Sequence, residues 1–268
     1  MPELPEVETV VRTLEHQIKD CTIVDVQVLY KPIVVNGITE FKSKLINQTF
    51  ESFERRGKYL IFRLTTCTLV THLRMEGKFF LQDSNEPINK HIHVIFTFRN
   101  GKQLRYHDTR KFGRMEVLPK DYDFTHFHDL GFEPFDDSYN ETYVYQYCKS
   151  KNIPLKTLLL DQHFVAGIGN IYADEILFAC GLRPGRSCKR ITHLDALNIV
   201  NQTRIILTAA IQAGGTTIRS YTSSLGVTGR FQLSCKVHMQ KTCQMCGSKI
   251  EMKYIRGRSS YYCPKCQK

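Results

Sequence analysis

The sequence predicts an α+β protein: an N-terminal β-sandwich behind a leading helix, then a helical region, then a small four-cysteine module. Three observations carry this. Apolar residues recur at helical spacing from Val7 to Ile18, β-branched and aromatic runs fill residues 22–117, and beyond Glu141 the pattern returns to helices. A length of 268 residues leaves room for about two domains, each with its own core.

Val7, Val10, Val11, Leu14 and Ile18 define the leading helix, and Glu3, Glu6 and Glu8 lie at its start, where the helix dipole favours acids. Strand-like runs follow at Cys21–Leu29, Tyr59–Leu64, Thr68–Met75, His93–Phe98 and Gln103–His107, with turn signals at Asn36-Gly37 and Asn100-Gly101. Pro119, Gly131 and Pro134 punctuate an acidic stretch that reads as a linker. Helical patterns then cover Tyr143–Lys151, Leu155–Leu160, Ile171–Cys180 and Leu194–Ala213. The last starts after a Thr192 cap and stops at Gly214-Gly215. The resulting division is 1–118 for the β domain, 119–141 for the linker, 142–230 for the helical domain with a Ser/Thr/Gly-rich loop at its end, and 231–268 for the cysteine module.

Lys and Arg number 37 against 26 Asp and Glu, a net charge of +11 that favours a polyanionic partner, nucleic acid first. The charge is concentrated. Residues 55–78, 99–114 and 243–268 each carry six bases and one acid, whereas residues 120–141 carry one base and seven acids. A solvated face is the plainer reading of any one run; three separated runs favour a surface for phosphates. No run of about 18 apolar residues occurs, and the opening Met1-Pro2-Glu3-Leu4-Pro5-Glu6 is acidic where a signal peptide is basic, so a cytoplasmic protein without a membrane partner is expected. Cys21, Cys67, Cys148, Cys180, Cys188 and Cys235 show no pair spacing and are expected to be reduced thiols.

The remaining four cysteines are different. Cys243-x-x-Cys246 and Cys263-x-x-Cys266 stand sixteen residues apart, the spacing of a four-thiolate site for one structural zinc ion. Four cysteines leave no open coordination position, so catalytic zinc is not expected, and the metal supplies folding energy that so short a module lacks. Gly247 and Gly257 allow a hairpin between the knuckles. Arg256 and Arg258 fall near its tip, as phosphate contacts or as a solvated loop.

Loss of Met1 would make Pro2 a terminal secondary amine. An α-amino group titrates near 7.7 to 8.0, against about 10.4 for lysine, so part of it is neutral and nucleophilic at pH 7. Such an amine can attack a sugar C1′, expel the base and leave an iminium, with Glu3 adjacent and Glu6 one turn on to handle protons. A plain helix start is the alternative.

Met1-Pro-Glu-Leu-Pro-Glu-Val-Glu-Thr9 resembles the opening of the formamidopyrimidine-DNA glycosylases, bacterial base-excision repair enzymes for oxidised purines. The resemblance continues through Arg55-Arg-Gly-Lys58-Tyr-Leu60, His72-Leu-Arg-Met-Glu-Gly77, Lys90-His-Ile-His93, Asp108-Thr-Arg-Lys-Phe-Gly113, Gly131-Phe-Glu-Pro134, Gly167-Ile-Gly-Asn-Ile-Tyr172 and Cys263-Pro-Lys-Cys-Gln267. It implies that the helical domain is a helix-two-turn-helix element and that the chain is a monomer acting on damaged duplex DNA beside the bacterial chromosome. By the same resemblance Pro2 is the Schiff-base nucleophile, Glu3 the general acid and base, Glu6 a support, and Lys58 an aid at the abasic sugar and its phosphates. Met75, Arg110 and Phe112 match the residues that fill the gap left by an everted base: two apolar wedges and a donor to the estranged cytosine. His91, Lys151, Asn170 and Arg258 match DNA-contacting positions, Arg258 also serving the second elimination. Lys156 and the loop from Arg219 to Gly226 resemble the part of the pocket that meets the flipped base. Taken without the resemblance, Lys58 reads as a strand-edge surface lysine and Met75 as core.

The chain departs from the pattern at Val237-His238-Met239, where many relatives have Val-Tyr-Gly and a connection two residues longer; either a tyrosine–phosphate contact is lost and DNA binding is slightly weaker, or His238 substitutes for it. Two other readings compete. The endonuclease VIII branch prefers oxidised pyrimidines; Leu4 and the Arg110/Phe112 pair argue against it. A zinc-ribbon DNA-binding protein without chemistry shares the charge and the cysteines, but has no need of Pro2 and Glu3 at a free terminus.

Overall fold

In the computed structural model, which describes residues 1–125, 127–216 and 230–268, the chain forms two compact units. One contains residues 1–125 and 214–216, the other residues 127–213 and 230–268. The first opens with α1 (Leu4–Ile18), capped at Glu3 and with proline in its first turn, where the missing N–H costs nothing. All five apolar positions of the expected stripe are buried in the core.

Eight antiparallel strands make two four-stranded sheets. The first has the order β1 (Ile23–Val28), β6 (Ile92–Phe98), β7 (Lys102–His107), β5 (Lys78–Asp83); the second β2 (Phe50–Arg56), β3 (Tyr59–Leu64), β4 (Cys67–His72), β8 (Arg114–Pro119). Aromatic rings join the layers. Phe50 meets Phe98 edge-on at 6.0 Å and Phe62 meets Phe79 at 6.1 Å, each ring fully buried and worth about 1.5 to 3 kcal/mol in burial alone.

Three strands missing from the expected runs, β2, β5 and β8, are all sheet edges. Edges face water and carry charge, as in Phe50-Glu-Ser-Phe-Glu-Arg-Arg56, which dilutes the apolar signal. The run expected to reach Met75 stops at His72, because Leu73 to Gly77 turns, the Gly77 N–H donating to the Leu73 carbonyl at 3.0 Å. Gly37 does not sit in a hairpin: with φ +83 it caps α2 (Ile38–Leu45), while the Asn36 side chain pairs with the Val117 backbone in β8.

The second unit contains α3 (Glu141–Ser150), α4 (Leu155–Leu159), α5 (Asn170–Ala179) and α6 (His193–Gln212). The Thr192 cap is present and belongs to a capping box with Asp195. Residues 130–140 pack on these helices: Tyr139 is fully buried against Phe164, and the Arg204 guanidinium of α6 donates to the carbonyls of Pro134, Asp136 and Tyr139. Near the end, β9 (Glu251–Ile255) and β10 (Arg258–Tyr262) form a hairpin. Its two-residue turn, Arg256-Gly257, has positive φ at both positions (45° and 78°), the turn geometry that matches strand twist. Among the described residues, no helix is long and apolar enough to cross a membrane.

Candidate active site

The first unit buries Pro2 with its neighbouring acids, while Met1 itself is exposed. Glu3 is 3% exposed and Glu6 1%. The Glu6 carboxylate is committed: Oε2 accepts the Glu3 N–H at 2.8 Å, and Oε1 accepts the Thr216 N–H at 2.8 Å and its hydroxyl at 3.0 Å. Glu6 therefore fixes the start of α1 and cannot swing towards a substrate. Gly215 lets Thr216 come this close, since a Cβ there would sit 2.8 Å from Glu6 Oε1, and its φ of +77 suits glycine alone.

Lys58 follows Gly57 in the two-residue turn between β2 and β3, and it is buried, unlike a surface lysine at a strand edge. Its charge acts on the terminal amine. Burial holds that amine, on Met1 in the full chain, below its ordinary value; Glu3, Glu6 and Glu76 oppose this, and Lys58 adds to it. Four charged groups thus surround the place where the nucleophile is expected.

Met1 also lines a cleft of about 380 Å³ with Arg74, Met75, Phe112 and Arg114. Arg110 and Phe112 are exposed, and the Arg110 guanidinium stands 4.8 Å from the Phe112 ring centroid. Their loop is held by Asp108, a fully buried carboxylate that accepts the N–H groups of Arg110 (2.9 Å), Phe112 (3.0 Å) and Gly113 (2.9 Å). The Asp108 carbonyl meets His93 Nε2 at 2.8 Å, next to His91, whose ring lies 5.4 Å from that of His107. Asp108 lies in a motif that carries the resemblance, yet the sequence shows no role for it, because pairing with three amides has no periodic signature.

One basic run needs correction. Arg105 is fully buried, and its guanidinium donates to Gln103 and to the carbonyls of Asp83, Ser84, Glu86 and Pro87, so it serves the β5–β6 connection and not phosphate.

In the second unit, Gly167 (φ +94) and Gly169 turn the chain into α5, which begins at Asn170. Gln162 braces this loop, accepting from the Gly167 N–H and donating to the Ile168 carbonyl, both at 2.9 Å. Asn170 Nδ2 reaches Ser259 Oγ at 3.4 Å, next to exposed Arg258 on β10, while Asn170 Oδ1 is buried without a protein partner. Lys151 caps the end of α3, its ammonium 5.3 Å from the Tyr147 ring centroid.

Lys156 departs from the expectation of contact with a flipped base. It is fully buried, and Nζ is held by Asp174 Oδ1 at 2.7 Å and the Ser259 carbonyl at 2.6 Å. It joins α4 to α5 and the hairpin because a buried ammonium must be paired. His238 lies against the same aspartate, Nδ1 2.7 Å from Asp174 Oδ2, and Glu175 accepts the N–H groups of Lys236, Val237 and His238. His238 thus engages a carboxylate through Nδ1. The expected pocket loop, Arg219–Gly226, lies outside the described residues. A larger cleft of about 580 Å³, lined by Arg183, Arg190, Lys253 and Tyr262 among others, contains none of the expected site residues.

The four cysteine sulfurs lie within 4.8 Å of one another, with Cys243–Cys266 at 3.8 Å and Cys246–Cys263 at 3.5 Å. Zn–S bonds of about 2.3 Å in a tetrahedron require sulfurs about 3.8 Å apart, so the donors fit one structural zinc. Gly247 (φ +71) turns the first knuckle, and Gln267 fastens the second, accepting from the Cys263 N–H and donating to the Leu182 carbonyl, both at 2.8 Å.

Comparison with known proteins agrees with this arrangement. Three family models match in order: the formamidopyrimidine-DNA glycosylase N-terminal domain over residues 1–115, the helix-two-turn-helix domain of the same glycosylases over 130–222, and a zinc finger found in these glycosylases and isoleucyl-tRNA synthetases over 240–268. Formamidopyrimidine-DNA glycosylases of Bacillus licheniformis and Streptococcus mutans are each 43% identical, with both chains fully covered. A Lactococcus lactis Fpg solved with DNA containing an abasic site superposes with a TM-score of 0.94 at 35% identity over 99% of each chain. Another, solved with DNA containing N7-benzyl-Fapy-dG, gives 0.94 at 36% over all of both chains. By class, then, this is a zinc-finger DNA-repair glycosylase with a β-sandwich and a helix-two-turn-helix domain. It belongs to the formamidopyrimidine-DNA glycosylase family.

Proposed function

We propose that the chain is a bifunctional glycosylase and abasic-site lyase that removes oxidised purines, 8-oxoguanine and formamidopyrimidines, from duplex DNA. Family membership already makes it a DNA glycosylase acting on damaged DNA. The observation that carries the finer reading is the charged setting of the terminus: Glu3, Glu6, Glu76 and Lys58 act on the terminal amine, and its residue shares a cleft with Met75 and Phe112.

Once Met1 is removed, the Pro2 nitrogen lone pair attacks C1′ of the flipped nucleotide, and the C1′–base bond breaks. Glu3 supplies the proton that the opening sugar needs and later takes one back. The resulting iminium acidifies the C2′ protons. Loss of one expels the 3′ phosphate, and a second elimination, with Arg258 beside the 5′ phosphate, leaves a one-nucleotide gap bounded by phosphates. Glu6 contributes by holding the Glu3 backbone, and Lys58 by offsetting phosphate charge. His91, Lys151, Asn170 and the α5 N-terminus bind the backbone, and the fully buried Lys156 acts through its pairing with Asp174 and Ser259. The first unit, with residues 214–216 and their hold on Glu6, is the catalytic domain; the helical unit, which the end of the 119–141 stretch joins by packing on α6, and the finger at 231–268 are the DNA-binding parts of a cytoplasmic monomer.

Borohydride trapping on a duplex with 8-oxoguanine opposite cytosine, using protein verified to begin at Pro2, is expected to give a covalent adduct that maps to Pro2. Absence of the adduct would refute the lyase reading. Arg110→Ala is expected to reduce the preference for cytosine over adenine opposite the lesion by about tenfold, the loss of one good base contact. Unchanged discrimination in a two-template excision assay would remove that role.

A further inference from the structure

Two loops carry the proposed void-filling side chains, and one tyrosine lies beneath both. Tyr106, on β7, is fully buried, and its ring packs on Phe79 of β5 with centroids 5.2 Å apart. Its hydroxyl ends against backbone on two sides. A Cβ added at Gly77 would stand 2.3 Å from that oxygen, and one added at Gly113 would stand 1.7 Å from it. Gly77 closes the turn that presents Met75, and Gly113 closes the loop that presents Arg110 and Phe112. The hydroxyl also donates at 3.4 Å to Asp108 Oδ2, the oxygen that accepts the N–H groups of Phe112 and Gly113.

We propose that Tyr106 is a positioning residue for lesion recognition, its hydroxyl clamping the Met75 turn to the Arg110–Phe112 loop so that the three side chains enter the duplex as one unit. The inference rests on the void-filling role proposed above. Two loops ordered separately each lose conformational freedom on entering DNA, whereas a preassembled pair has lost it during folding. The oxygen matters apart from the ring. Without it a gap opens between two backbones that carry no side chains to fill it, and the lining atoms lose their contacts.

Tyr106→Phe keeps the ring and removes the oxygen. Excision of 8-oxoguanine opposite cytosine in duplex DNA is measured beside borohydride trapping on single-stranded abasic DNA, which has no void to fill. Duplex excision should fall about tenfold more than trapping, the scale of a sub-ångström misplacement, and discrimination between cytosine and adenine should fall with it. An unchanged ratio, or an equal loss on both substrates, overturns the clamp. Gly113→Ala alone should lower the same ratio. Combined with Tyr106→Phe it should cost less than the sum of the two, because the nearer clash, 1.7 Å from the oxygen, is gone and only that with ring Cζ at 2.7 Å remains; additive losses also overturn the clamp. Met75→Ala separates the two levels of the argument. If it leaves the ratio unchanged, the void-filling reading fails and the clamp with it. If it lowers the ratio while Tyr106→Phe does not, the clamp alone fails.

Discussion

Glu3→Gln is expected to slow excision of 8-oxoguanine from duplex DNA by about 10² to 10⁴, the usual contribution of a general acid or base. The substitution keeps the volume of a side chain that is 3% exposed at the start of α1. It also leaves the Glu3 N–H donating to Glu6, so the helix start and Thr216 stay in place. What goes is the proton. Base loss needs protonation at the opening sugar, whereas a preformed abasic aldehyde offers Pro2 a carbonyl with no base to expel. Trapping on abasic duplex should therefore survive while excision collapses. Equal loss in the two assays would show that Glu3 shapes the site and does not transfer the proton.

Loss of the metal ligands should have the other large effect, on DNA affinity. Among the described residues, the apolar cluster around the knuckles has five buried members, Phe178, Val237, Cys243, Ile250 and Cys263, two of them zinc ligands, with Tyr261 and Cys266 packed against it, a small core to hold the hairpin. Structural zinc contributes on the order of 10 kcal/mol to such modules. Cys246→Ser, at the exposed ligand, is expected to reduce bound zinc from one per chain to none and to weaken duplex binding at least about tenfold. Ser259 is the link. It lies in β10 beside Arg258, receives Asn170 Nδ2 on its hydroxyl and Lys156 Nζ on its carbonyl, and loses its place when the hairpin unfolds. Metal analysis and a binding titration at one fixed salt concentration test this, since affinity for DNA varies steeply with salt. Full affinity in zinc-free protein would make the finger dispensable.

The readable elements were those with strong periodicity or fixed spacing. The stripe on α1, the central strands β3, β4, β6 and β7, the four helical patterns and the cysteine knuckles all announce themselves locally. Edge strands β2, β5 and β8 did not, because charged residues dilute their β-branched and aromatic content, whereas the fourth edge, β1, was legible from Ile23, Val24, Val26 and Val28. The short α2 was missed as well: with eight residues and an Asn-Gly before it, the segment looks like a turn. Among site residues, the terminal Pro2 and Glu3 could be singled out by elementary amine and carboxylate chemistry. The other roles needed the resemblance. Lys156 shows why the residue type was insufficient: the same ammonium that could meet a base is fully buried and bound to Asp174.

The sequence by itself determined the fold class, the family and the metal donor set, since each depends on residue identity at short, regular intervals. Tertiary structure alone decided which charges are spent and which are offered. Arg105 became an internal brace, Glu6 a fixed acceptor, His238 a partner of Asp174, and Asp108 the anchor of three amides. A buried charge or amide must find its partner wherever the chain brings one, often dozens of residues away, and no local pattern records that distance.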